Sequence, residues 1–236
     1  MTVTMSIDED LLSVSLADLG PDAEAGRSLE VALRQVVDAA CLIFAADGAG
    51  LMLIDDSQAL HYVSATDSRS AALESSQKQL GLGPCVDSLV HDSVVSTPDL
   101  RTDERWPGLF EALAPSGIRA VLGVPVRVGG NAIGSLNAYR LAAHEWDQSE
   151  LEAIRAYAKV IEDLIGTALL ARDRGELATQ LEHALEHRVV IERAVGVIMG
   201  NQRIDAVAAF DVLRRTARTE RRKVADVAAE MLEALR

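Results

Sequence analysis

One cysteine, Cys85, stands directly behind a Gly-Leu-Gly-Pro turn, where a reactive thiol would be placed. At such a loop-to-helix junction the helix N-terminus stabilises a thiolate and lowers its pKa. The competing reading is a small buried residue, because free cysteine is among the most buried side chains. Cys41, the other cysteine, would have to approach in space to resolve an oxidised Cys85, and two cysteines make neither a disulfide framework nor a metal-ligand set. His61, His91, His144, His183 and His187 are read as holding no metal, with His91 the one candidate for a haem or metal ligand. The acidic pairs Asp55-Asp56 and Asp103-Glu104 read as solvated turns. Trp106 lies in a loop, where it either anchors the core or lines a ligand pocket with Cys85. No glycine-rich phosphate loop is present and nothing demands catalysis, so no cofactor is expected.

A second group of chemistry-bearing residues is cationic. From His187 to Arg236 ten basic residues face seven acidic ones, a net of +3, while the whole chain carries −13 and the remainder therefore −16. A basic segment on an acidic chain of pI near 4.8 fits a part that meets a polyanion. A solvated charged face is the alternative, and about half of these arginines are read that way.

These groups need a scaffold. At 236 residues the chain suits one mid-sized domain and a small one. Residues 1–9 read as a disordered leader and 10–170 as the larger domain. Leu29 to Phe44 has the apolar spacing of an amphipathic helix. Ala49–Ile54 and Leu60–Ala65 are short β-rich runs separated by Asp55-Asp56-Ser57 as a turn, hence a hairpin. Helices are expected at Ser70–Leu80, Val86–His91 and Leu109–Ala114, with a strand stub at Val94–Thr97. Ala120–Val128 and Ala132–Arg140 flank Gly129-Gly130-Asn131, a strong hairpin turn. The pattern is that of an antiparallel sheet flanked by helices, an α+β domain.

From Asp147 the period turns helical and runs for about forty residues, with a break expected near Gly175. Residues 171–187 read as a coiled-coil connector whose Leu177, Leu181 and Leu185 form the seam of a homodimer. Residues 188–236 carry three short apolar stripes at helical spacing, each too narrow to stand alone, and so form an all-α three-helix bundle. Asp205 is the expected N-cap of the middle helix. No apolar run approaches the ~20 residues of a membrane span. The start, MTVTMSIDED, lacks a signal pattern, and both features point to the cytoplasm and away from membranes.

Two resemblances follow from particular residues. Arg188, Ile191-Glu192, Ala194-x-Gly196, Ile198-Met199, Ala209-Phe210, Leu213-Arg214, Lys223-Val224 and Asp226-Val227-Ala228 resemble the ANTAR domain, a three-helix RNA-binding module of bacterial antiterminators. Val195 stands where that family usually has a basic residue and Arg221 where it often has Asn, which moves the expected contacts toward the Arg221-Arg222-Lys223 turn. Residues 81–85 (GLGPC), 98–107 (PDLRTDERWP), 117–125 and 131–139 (NAIGSLNAY) resemble the GAF domain, a small-ligand sensor built on one antiparallel sheet. The resemblances imply a regulator of transcription antitermination. Arg188, Arg193, Gly196, Arg214, Arg215, Arg221, Arg222 and Lys223 would contact paired stem-loops in nascent RNA. A small molecule or protein would signal at the GAF domain. A thiol redox sensor or enzyme centred on Cys85, or a protein-binding module without RNA, are the alternatives.

Overall fold

The computed structural model describes residues 7–19, 28–55, 60–171, 175–220 and 222–234. Asp8 accepts from the amides of Asp10 and Leu11 and starts α1 (Glu9–Ala17). Ile7 N donates to Ser149 Oγ at 3.1 Å, so residues 7–9 are held against the domain, contrary to the leader expected there; residues 1–6 lie outside the described part. Next come α2 (Leu29–Ile43), β1 (Gly48–Ile54) and β2 (Leu60–Ala65). Of the expected turn between the two strands, Asp56 and Ser57 lie outside the described residues.

Helix α3 (Ser68–Leu80) is opened by Asp67, which accepts from Ser70 N, and closed by Gly81 at φ 69°, a conformation that favours glycine. Helix α4 (Pro84–His91) follows after two residues with proline at its start. Then come β3 (Val95–Thr97), α5 (Leu109–Leu113), β4 (Ala120–Val128) and β5 (Asn131–Arg140). Gly129 and Gly130 both have positive φ (60° and 85°), as a tight two-residue hairpin turn requires.

The strands form one antiparallel sheet in the order β2-β1-β5-β4-β3. Helix α6 (Gln148–Leu170) starts with a reciprocal capping box between Asp147 and Glu150. It packs with α2 over the sheet, burying Leu33, Val36, Tyr157, Ile161, Leu51 and Leu136 in the main core. A second core joins Leu73, Trp106, Leu109, Leu113, Val121 and Tyr139.

Helix α7 (Glu176–Gln202) runs unbroken for 27 residues. The break expected near Gly175 is present, since α6 ends at Leu170, but connector and first bundle helix are one element. Arg203 ends α7 with φ 54°. Asp205 Oδ1 accepts from Ala208 N at 2.8 Å and caps α8 (Ala206–Glu220). With α9 (Val224–Glu233) the bundle closes over Ile191, Ala194, Ile198, Ala209, Leu213 and Ala228.

The leucines expected at a dimer seam are used otherwise. Leu181 is 1% exposed and belongs to the main core with Ala178 and Ala184, and Leu177 and Leu185 pack against the same core. A seam on these residues would first have to strip α7 from its own sheet domain. The apolar spacing was legible, but intramolecular and intermolecular burial give the same pattern.

Candidate functional site

Alternation along β5 turns Ser135, Asn137 and Tyr139 toward α3, while Leu136 and Ala138 enter the main core. The polar trio meets polar residues of the helix. Tyr139 Oη donates to Asp67 Oδ2 at 2.7 Å. Asn137 Nδ2 donates to Glu74 Oε1 at 2.9 Å, and Ser135 Oγ donates to Asn137 Oδ1 at 2.9 Å. Glu74 is 1% exposed, and burial raises its carboxyl to about 8, against a smaller opposing effect from the Asn137 hydrogen bond. Gly50 leaves it the space: a Cβ there would lie 2.9 Å from Glu74 Oε1. One turn on, Gln77 Oε1 accepts from Cys85 N at 2.8 Å. Among the described residues Glu74 Oε2, Gln77 Nε2, Ser64 Oγ and Ser88 Oγ are buried without a hydrogen-bond partner.

Cys85 sits at the start of α4, as the sequence suggests, but its side chain is fully buried with Sγ 3.4 Å from Met52 Sδ. Burial, and then the nearby Glu74 carboxylate, push the thiol well above its ordinary pKa. A neutral buried thiol is a poor nucleophile, so of the two readings the small buried residue is the one the structure supports: the desolvation of the side chain outweighs the helix N-terminus. Cys41 is half-buried and also raised, chiefly by burial. Trp106 is likewise a core residue, 3% exposed, with Nε1 donating to Asp87 Oδ2 at 2.8 Å and the Arg105 guanidinium 4.2 Å from its ring centroid. His183 and His187 stand four residues apart on α7. Among the described residues no group of three His, Cys, Asp or Glu side chains could hold a metal.

The buried polar set was not legible as a site. Its one sequence signal is Ser135 and Asn137 inside an otherwise apolar strand; nothing in the helical sequence singles out Glu74 or Gln77. Beside them a hollow of about 240 Å³ is lined by Met52, His61, Ala71, Glu74, Ser75 and Lys78.

In the bundle the cationic residues divide into three groups. Arg193, Arg203, Arg215 and Arg218 are exposed, and among the described residues no ion pair holds them. Arg188 and Arg222 are tied down: Arg188 Nε donates to Glu192 at 3.0 Å, and Arg222 pairs with Glu220 at 3.1 Å and Glu230 at 2.5 Å. Lys223 is exposed and N-caps α9. Arg221 lies outside the described residues.

Arg214 belongs to the third group, which faces the sheet domain. Its guanidinium lies so near Gly81 that a Cβ there would come within 2.9 Å, and it leans toward the Phe210 ring. Next to this contact an interdomain groove of about 300 Å³ is lined by residues that include Leu89, Ala132, Arg188, Gly196, Met199 and Phe210. A Cβ added at Gly196 would meet nothing within 4 Å, so close packing within the chain does not explain that glycine.

A sheet domain with a buried polar cluster, joined through one helix to a helical bundle with exposed arginines, has the architecture of a signalling regulator. The chain belongs to the GAF domain family, whose model matches residues 28–165, and an ANTAR domain follows at 179–232. The fold is similar to the GAF domain of a phosphoenolpyruvate-protein phosphotransferase from Coxiella burnetii (20% identity, TM-score 0.54, 67% of this chain and 95% of that one). It is also similar to free methionine-R-sulfoxide reductase from Neisseria meningitidis (15% identity, TM-score 0.53, 72% and 99%). At these identities the likeness concerns the fold alone. No curated protein matches the chain. The two domains together are those of a regulatory protein, and no described helix is long and apolar enough to cross a membrane.

Proposed function

We propose that this protein is a signal-responsive, cytoplasmic regulator of transcription antitermination, binding RNA stem-loops through its C-terminal bundle under control of its GAF domain. The observation that carries this reading is the ANTAR match at residues 179–232. The bundle offers Arg193, Arg215 and Arg218 exposed and without ion pairs among the described residues. A small helical bundle cannot enter the narrow major groove of A-form RNA, but it can grip loop bases and backbone phosphates. Arg215 and Arg218 then replace Arg222 as the first phosphate contacts, since Arg222 is engaged by two carboxylates. Arg188 and Arg214, partly covered beside the sheet domain, would reach RNA fully only after the bundle leaves it, which gives the GAF domain a direct means of control, while Gly196 is exposed already. Two copies acting on paired stem-loops belong to this reading, with a contact surface other than the buried leucines.

The test is a gel shift with RNA carrying two small stem-loops, beside single-loop and unstructured RNAs of equal length. Binding that prefers the paired loops and weakens steeply with salt is the expected result. Equal affinity for all three RNAs, or none, would refute the reading.

A further inference from the structure

The hollow beside Glu74 has the makings of a ligand site. One oxygen of the Glu74 carboxyl is held by Asn137, while the other is buried with no well-formed hydrogen bond, the Cys85 thiol its weak neighbour, in a side chain that lines the hollow. Four residues further along α3, Lys78 lies at the exposed mouth. Lys78 Nζ stands 3.4 Å from His61 Nε2, and His61 is itself engaged by Asp55 at 2.5 Å. Among the described residues no carboxylate pairs with Lys78. Residues four apart on a helix are neighbours, with Cβ atoms about 5–6 Å apart. The hollow is therefore lined by a buried acceptor and an exposed cation one helical turn apart, with Met52 and Ala71 as apolar wall.

That arrangement selects by charge. A simple cation would meet Lys78 with no charge to offset it, and a simple anion would pair with Lys78 but leave the buried Glu74 carboxyl without a cation; a molecule carrying both charges a few ångströms apart engages each. The size agrees, because about 240 Å³ is below the ~300–1,000 Å³ of sites for drug-sized ligands. We propose that this hollow binds a compact zwitterion of the amino-acid kind, its ammonium on Glu74 and its carboxylate on Lys78. The proposal rests on the sensory role given to the GAF domain above and supplies the chemical class of its signal. Occupancy has a path to the bundle: Glu74 and Gln77 share α3, Gln77 holds the Cys85 amide, and Arg214 of the bundle lies against Gly81, the residue that ends α3.

Binding has a proton signature. Burial raises the Glu74 carboxyl to about 8, and an ammonium beside it favours the carboxylate, so at pH 7 binding expels a proton.

The experiment is calorimetric titration of the full chain with the common amino acids singly, and with acetate and butylamine as single-charge controls. Two buffers of different ionisation enthalpy report the proton released. At least one small apolar amino acid should bind saturably and release close to one proton at pH 7, while acetate and butylamine bind at least tenfold more weakly. Glu74→Gln and Lys78→Ala should each weaken binding at least tenfold, and Lys78 is exposed, so its variant keeps the fold. Absence of binding by every amino acid up to millimolar concentration would overturn the proposal, as would either control binding equally well or the Lys78→Ala variant retaining full affinity. The RNA gel shift run on the same preparations separates the two ideas. Loss of RNA binding with amino-acid binding intact counts against the antitermination reading alone, and the reverse counts against the zwitterion site alone.

Discussion

Replacing Glu74 by Gln should stabilise the protein in alkaline solution, although it alters a fully buried, hydrogen-bonded residue. The native carboxyl titrates at about 8 against an ordinary value of 4.5. The unfolded chain therefore releases this proton near pH 4.5 while the native state keeps it to about pH 8. Between those limits the native state binds more protons, so stability falls as pH rises and levels off above pH 8. At about 1.4 kcal/mol per pH unit the total is on the order of 5 kcal/mol, a large share of the 5–15 kcal/mol of a typical domain. Gln keeps the shape, can accept from Asn137 and does not ionise. Urea denaturation of both proteins from pH 5 to pH 9 should show the variant gaining on the parent with rising pH, most between pH 6 and 8. Parallel stability curves over that range would refute the reasoning, because they would mean that Glu74 ionises in the native state as it does in water.

Leu181→Asp should destabilise the chain by about 3–5 kcal/mol by burying an uncompensated charge in the sheet-domain core; denaturation checks the cost, and a fully stable variant that merely changes size in light scattering would restore the dimer seam. Gly196→Ala should raise bundle stability by about 1 kcal/mol, since the added methyl meets nothing within the chain; melting measures this, and a lower melting temperature contradicts it. In the RNA assay Arg215→Ala should reduce the salt slope by about 1, while Arg222→Ala, already paired to Glu220 and Glu230, should change it less; equal losses would put Arg222 back in the interface.

The sheet and bundle were legible because their signals are local. Short apolar runs on either side of the Gly129-Gly130 turn identify β4 and β5, and period-3.6 stripes with Asp205 as cap identify the bundle helices. What the sequence hides is which partner a stripe meets. Leu177, Leu181 and Leu185 have the spacing of a coiled-coil seam and are used within the chain. Cys85 shows the same limit: its helix start is visible in Gly-Leu-Gly-Pro, but the burial that raises its pKa depends on Met52 and Glu74, 33 and 11 positions away. The Glu74 cluster needs α3 laid on β5, a contact across 63 positions, and no motif announces it.

Helix α7 gives the two domains a mechanical relation. Its first half is seated in the core of the sheet domain through Ala178, Leu181 and Ala184, and its second half in the bundle through Ile191, Ala194 and Ile198. It is a lever with both ends clamped. From Leu181 to Ile198 the span is about 26 Å at 1.5 Å per residue. A tilt of about 10° at the sheet end would carry the bundle end roughly 4–5 Å over that length, more than a hydrogen bond's reach. Cleaving the chain at the start of the ANTAR match, residue 179, would cut the lever inside its first clamp. The liberated bundle would carry Leu181 and Ala184 into solvent, so a bundle prepared that way should be stickier than the whole protein.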